Sequence, residues 1–182
     1  MLNAPRKGDW MQTFTGRQFW PIDPRASEID IEDIAHALSM QPRYAGHTSK
    51  FYSVAEHSYL VSAFAEDRSV QRAALLHDAS EAYLCDIPRP IKPYLTNYKE
   101  IEAQLCEVIA EKYGVPYPWP AEVHELDMRI LLDERNALMK ESPSIVGDGW
   151  PDHLDPLGAK IRALDHKQAY TLFMGRFYDL FT

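Results

Sequence analysis

Residues 70–92 read VQRAALLHDASEAYLCDIPRPIK, and the reading of this stretch decides the fold. Val70, Ala73, Ala74, His77 and Glu81 recur at helical spacing, which predicts one amphipathic helix that stops at Pro88. A core-facing stripe should be apolar throughout, yet this one carries His77 and Glu81, with Asp78 beside them. Burying an unpaired carboxylate is strongly unfavourable, so such groups are normally paired or bound to a metal.

Outward from this stretch the same period continues. Ile31, Ile34, Ala35 and Leu38 predict a short helix capped by Asp30 and ending before Pro42. Ser53 and Glu56 form an S-x-x-E capping box that opens a helix with the stripe Val54, His57, Val61, Phe64 and Ala65. Ile101, Leu105, Val108, Ile109 and Lys112 mark a further helix, with Gly114 as its stop. Val123, Leu126, Asp127, Ile130, Leu131 and Leu138 mark another, terminated by Pro143, and a last one runs from about Leu157 towards Phe181. Only Phe14 to Trp20 alternates with period two. The pattern predicts an all-α protein: one helical bundle of about six helices over residues 26–182, behind an irregular N-terminal arm over residues 1–25.

Composition narrows the class. A chain of 182 residues suits one domain with a substantial core, and its 46% hydrophobic and 12% aromatic content is that of a globular protein. No apolar run approaches the roughly 18 residues of a membrane helix, so a soluble protein with no membrane partner is expected. The N-terminus has a basic start without an apolar stretch behind it, unlike a secretory signal. Met11 fits a natural start, with residues 1–10 a leader of little structure. Cys85 and Cys106 are too few for a disulfide framework and read as reduced thiols of a cytoplasmic protein. The net charge of −8 argues against a duplex nucleic acid partner, which needs a basic face. A small phosphorylated ligand needs only a few local cations or a metal.

His57 and Asp127 break their stripes as His77 does, so three helices carry the same violation. Each has an ordinary alternative: a hydrogen-bonded core histidine, or a pairing of Asp127 with Arg129 or Arg135. His36, His47, His124, His153 and His166 are read that way. Together, however, His57, His77, Asp78 and Asp127 make a set of two imidazoles and two carboxylates. Such a set suits Zn²⁺, Mn²⁺, Co²⁺ or Fe²⁺ with positions left for water.

These residues carry a resemblance. His77-Asp78 lies between Ala-Ala-Leu-Leu and Ala-Ser-Glu-Ala, with AEHS around His57 upstream and ELDMRILLDER around Asp127 downstream. The order H…HD…D resembles the HD-domain phosphohydrolases over roughly residues 29–140. Within them the chain is most similar to the small deoxynucleotidase-like branch, which includes the bacterial 5′-deoxynucleotidase and the phage-type dATP triphosphohydrolases. The shared features are Arg43-Tyr44, where the bacterial nucleotidase has Arg-Trp, and Asp86-Ile87-Pro88-Arg89-Pro90-Ile91-Lys92. TGRQFWPIDPR and IDIEDIAHALS look like the phage-type enzymes in particular.

The resemblance implies that His57, His77, Asp78 and Asp127 hold a divalent metal ion (zinc, cobalt, manganese or magnesium). It implies Glu81 as the catalytic acid/base and Asp86 as the residue that positions the deoxyribose or the attacking water. A turn-capping role for Asp86 stays open. Arg43, Tyr44 and Lys92 are the expected substrate contacts, with plain surface charge or core packing as their alternatives. The implied activity is hydrolysis of a 2′-deoxynucleotide, dATP or another dNTP first and a dNMP second, in a cytoplasmic homo-oligomer. Phe14, Phe19 and Trp20 of the arm suit a subunit contact or packing within the domain equally well. A phage-encoded protein would act in the host cytoplasm. The rivals are a nucleotide-binding domain without turnover and a purely structural bundle.

Overall fold

In the computed structural model, which describes residues 5–141 and 149–182, the chain is all-α apart from one small hairpin. Strands β1 (Met11–Gln12) and β2 (Gln18–Phe19) pair antiparallel across a turn in which Gly16 takes a left-handed φ of 83°. The helices are α1 (Ile31–Met40), α2 (Val54–Phe64), α3 (Arg68–Leu76), α4 (Glu81–Leu84), α5 (Tyr98–Tyr113), α6 (Ala121–Leu138) and α7 (His166–Phe181). Helix α2 is central and packs against α1, α3, α6 and α7. No helix among the described residues is long and apolar enough to cross a membrane.

Local chemistry sets the boundaries. The Asp30 side chain accepts from the Glu32 N–H at the start of α1, and Gly114 ends α5 in the left-handed conformation, as expected. Helix α6 ends at Leu138; Pro143, the expected stop, lies outside the described residues. Residues 1–4 of the expected leader also lie outside them.

Three expectations need correction. The helix through residues 70–84 is not continuous: α3 stops at Leu76, and tight i to i−3 bonds (Ala79 N–H to Leu76 O, Glu81 N–H to Asp78 O) carry the chain into the one-turn α4. The last helix does not begin near Leu157. Asp133 accepts from the N–H groups of Leu157, Gly158 and Ala159, and Glu56 from those of Arg162, Ala163 and Leu164. These donors are spent on side chains, so helix starts only at His166, capped by Asp165. The Ser53 capping box is half formed for the same reason. Ser53 caps the Glu56 N–H, but the Glu56 carboxylate is turned to residues 162–164.

The arm is more ordered than its sequence implies. Phe19 is fully buried and stacks on Tyr83 at 4.0 Å, so it belongs to the core and is not free for a subunit contact. Asp33 ties the hairpin to α1 through the Thr15 N–H and hydroxyl. Phe14, 59% exposed, stacks on His36.

Candidate metal centre

Four side chains from α2, the α3–α4 turn and α6 meet at one point. His57 Nε2 lies 3.2 Å from Asp127 Oδ1, 3.3 Å from His77 Nε2 and 3.5 Å from Asp78 Oδ2. His77 Nε2 is 3.3 Å from Asp78 Oδ1. Ligands bound at about 2.0–2.2 Å to one ion sit roughly 3–3.6 Å from each other. One atom each of His57, His77 and Asp127 lies within 4.8 Å of the other two, so this group could hold a metal ion. Asp78 adjoins both imidazoles on the side of the α3–α4 turn.

Each imidazole is oriented from behind. His77 Nδ1 is 2.7 Å from Ala74 O, which makes Nδ1 the protonated nitrogen and leaves the Nε2 lone pair for the centre. His57 Nδ1 is 2.7 Å from Glu134 Oε1. Neither arginine weighed as a partner for Asp127 reaches it: Arg129 pairs with Glu125, and Arg135 with Asp152.

Glu134 is the residue that sequence reasoning missed. It is 0% exposed, accepts from the Tyr44 and Tyr52 hydroxyls, and lies 3.4 Å from Arg43 Nε. Its signal was available: it follows Asp127 by seven residues, two helical turns, and so shares its face of α6. Gln41 was missed too. Its amide spans α4, donating to Glu81 O and accepting from the Asp86 N–H.

A cleft of about 790 Å³ opens beside these four side chains, and Arg43, Tyr44, Glu81, Asp86, Lys92 and Trp150 line it. All the expected catalytic and substrate residues therefore reach one space. Arg43 does so while facing Asp78 and Glu134, and Tyr44 with its hydroxyl donated to Glu134. Lys92 pairs with Glu102 at 3.0 Å and stands 3.8 Å from Glu81 Oε1. Glu81 is 5% exposed and its Oε2 has no hydrogen-bond partner among the described residues. His47, read as an ordinary histidine, also lines the cleft, whereas Lys50 does not.

No protein-family model matches the chain. It is 39% identical over 175 residues to YfdR, an uncharacterized protein of Escherichia coli K12, across 94% of this chain and 95% of that protein. The chain belongs to the YfdR family. An uncharacterized protein of Rhodobacter capsulatus is 38% identical to it over 126 residues, 64% of each chain.

The electrostatics of this YfdR-family site follow from burial. Burial and the Arg43 charge disfavour a charged His57, but Glu134 and Asp127 outweigh them and raise its pKa to about 9. Burial likewise works against the Glu134 carboxylate, yet Arg43 and His57 hold its pKa down at about 2. Asp127 stays ionised against burial through its bond to His57. Glu81 behaves oppositely: burial first, then repulsion from Asp78 and Asp86, pushes its carboxyl well above the usual range.

These shifts predict a pH profile for the metal-free protein. A raised His57 contributes stability that is complete below its ordinary 6.5 and lost as pH rises through about 9. A depressed Glu134 contributes stability that is complete above its ordinary 4.5 and lost as pH falls towards about 2. Thermal melts after chelator treatment should therefore fall as pH drops from about 4.5 towards 2 and fall again as pH rises from about 6.5 through 9. The raised Glu81 adds a loss as pH climbs above its ordinary 4.5. Zn²⁺ should flatten the alkaline limb, because a His57 coordinated through Nε2 has already given up the proton that titrates there and keeps only the Nδ1 proton bonded to Glu134. A metal-free protein equally stable at pH 6 and pH 10 would contradict the charged His57.

Proposed function

We propose that the chain is a metal-dependent phosphohydrolase of the HD-domain type, acting on the phosphate ester of a 2′-deoxynucleotide. One observation carries the reading: His57, His77, Asp78 and Asp127 converge beside the buried Glu81 carboxyl, whose Oε2 has no hydrogen-bond partner among the described residues, at the wall of one cleft. A purely structural bundle has no use for that arrangement. The cleft volume is on the scale of a nucleotide. The deoxynucleotide itself rests on the resemblance of Arg43-Tyr44 and Asp86 to Lys92 to the deoxynucleotidase-like branch.

The donor set fits Zn²⁺, Co²⁺ or Mn²⁺ better than Mg²⁺, which favours oxygen ligands. When bound, such an ion supplies a water of lowered pKa and a Lewis-acid contact to a phosphoryl oxygen. The chain's own residues do the rest. Glu81, biased towards its protonated form, is suited to deliver a proton to the leaving alcohol oxygen of the ester and to be recharged by the incoming water. Lys92 beside it draws a phosphate oxygen into the cleft. Asp86, held by its N–H to Gln41, faces the same space and orients the sugar. Arg43 braces Asp78 and Glu134 and presents its remaining edge to the ligand.

A specific observation favours a monophosphate over the triphosphate that the phage-type likeness first implies. A polyphosphate would draw on Arg43, Lys50, Arg89 and Lys92, but Lys50 is absent from the cleft lining, and Arg43 and Lys92 already face carboxylates. Arg89 alone of the four reaches the cleft without one among the described residues. The reading places the enzyme in the cytoplasm as a homo-oligomer, for which exposed Phe14 remains available.

Protein purified without chelator should carry about one divalent transition-metal ion per chain. It should release inorganic phosphate from deoxynucleoside monophosphates, and His77→Ala should lose both the metal and the activity. Release of tripolyphosphate from dATP with monophosphates left intact would restore the triphosphohydrolase reading. Protein that gains no activity with Mn²⁺, Co²⁺ or Zn²⁺ sinks the proposal.

A further inference from the structure

A second cleft of about 560 Å³ lies between α2 and α7 and shares no lining residue with the metal cleft. Tyr59 and His57 are two residues apart on α2, roughly 200° around the helix, so the two clefts lie on opposite sides of it. Its lining carries three cations, Arg162, Lys167 and Arg176, against one carboxylate, Asp179. None of the three forms an ion pair among the described residues. In a chain of net charge −8, this is a local reversal of sign.

One of the cations is held in place, and the other two extend from anchored backbone. Arg176 Nε and Nη2 donate to Ser62 Oγ and O at 3.1 and 2.9 Å, which fixes the guanidinium plane and leaves its other edge free. The Arg162 N–H is bound to buried Glu56 at 2.8 Å, so the segment bearing that charge cannot drift. Lys167 sits in the first turn of α7, whose N–H groups Asp165 has already taken. A solvated charge run has neither this fixed geometry nor a hollow between its members. Leu164, Leu172 and the Tyr59 ring supply an apolar wall. We propose that this cleft binds a soluble phosphorylated small molecule bearing at least two negative charges, with its organic part against Tyr59 and Leu172. The planar Arg176 matches phosphate oxygens in two places, while Arg162 and Lys167 close on the outer oxygens.

The test is amide NMR of the intact protein titrated with inorganic pyrophosphate and, separately, with ADP. Both should shift Lys167, Gln168, Thr171 and Gly175, and ADP should add shifts at Tyr59 and Leu172. The exposed pair Arg162→Ala/Lys167→Ala should weaken both probes about tenfold and keep the native spectrum elsewhere. Lys92→Ala, in the other cleft, should leave these shifts intact. Shifts confined to the metal cleft, or an affinity that the double variant does not change, would overturn the site. A lipid headgroup offers the same chemistry, so sedimentation with phosphatidylglycerol vesicles distinguishes the source. Vesicle binding without pyrophosphate binding would also overturn it. None of these readouts depends on turnover, so the second cleft and the proposed hydrolase stand or fall separately.

Discussion

Glu81→Gln is expected to lower turnover by about 10²–10⁴-fold while leaving metal content unchanged. The glutamine keeps the size of the side chain and its place in α4, but it has no proton to transfer at the pH of the reaction. The size of the effect follows from the surroundings of the carboxyl. Glu81 is 5% exposed, with one oxygen unpartnered, and burial together with Asp78 and Asp86 biases it towards the protonated form. A structural role for Glu81 predicts turnover close to wild type with only the thermal melt shifted, because the amide relieves the repulsion from Asp78 and Asp86 under either reading. Steady-state rates, metal analysis and thermal melts on one preparation decide between them. A variant with wild-type turnover rules out Glu81 as the acid/base.

Glu134→Ala should be the most destabilising single change near the centre. The substitution leaves the Arg43 charge and the Tyr52 hydroxyl buried and removes the acceptor that orients His57. Breaking a buried charged network by removing one partner costs about 3–5 kcal/mol. Loss of the partner behind a metal-binding histidine weakens metal affinity by about 10–100-fold. Glu134→Gln keeps hydrogen-bonding oxygen and shape but loses the charge that balances Arg43, so it should fall between alanine and wild type on both measures. Denaturant unfolding and zinc competition with a chromophoric chelator measure the two effects independently. A stability change within about 0.5 kcal/mol, the scale of a surface substitution, would remove Glu134 from its proposed role.

The candidate ligands His57, His77 and Asp127 were legible in the sequence because each broke a stripe, while Asp78 was singled out only by its place beside His77. An imidazole or carboxylate at a core-facing position needs a partner, and three helices shared the need. The all-α architecture was legible for the complementary reason, since the remaining stripes are clean. Glu134 was not singled out because it sits within LLDERN, where a glutamate among other charges reads as a solvated face. Its two-turn spacing from Asp127 was the signal against that reading, and the packing of Tyr44, Tyr52 and Arg43 from a distant loop shows that this face is buried. The break at His77 was hidden because i to i−3 bonding leaves the apolar spacing almost unchanged. The overlong last helix has a similar origin. Leu157, Ile161 and Leu164 keep a helical period, but the two carboxylates that claim the intervening N–H groups come from Glu56 and Asp133 on other helices.

The Glu56 bonds bear on how shortened forms of the chain should be interpreted. This carboxylate is next to the candidate ligand His57, is 1% exposed, and takes its donors from the backbone of residues 162–164. A chain cut before Arg162 would strand that charge in the interior, one residue from the candidate metal centre, and would also strip the core of the apolar face of α7. On the proposed reading such a truncation would be inactive even if α7 contributes nothing to chemistry or to ligand choice. Deletion mapping scored by activity alone would therefore assign α7 a catalytic part that belongs to packing and to the carboxylate it leaves behind.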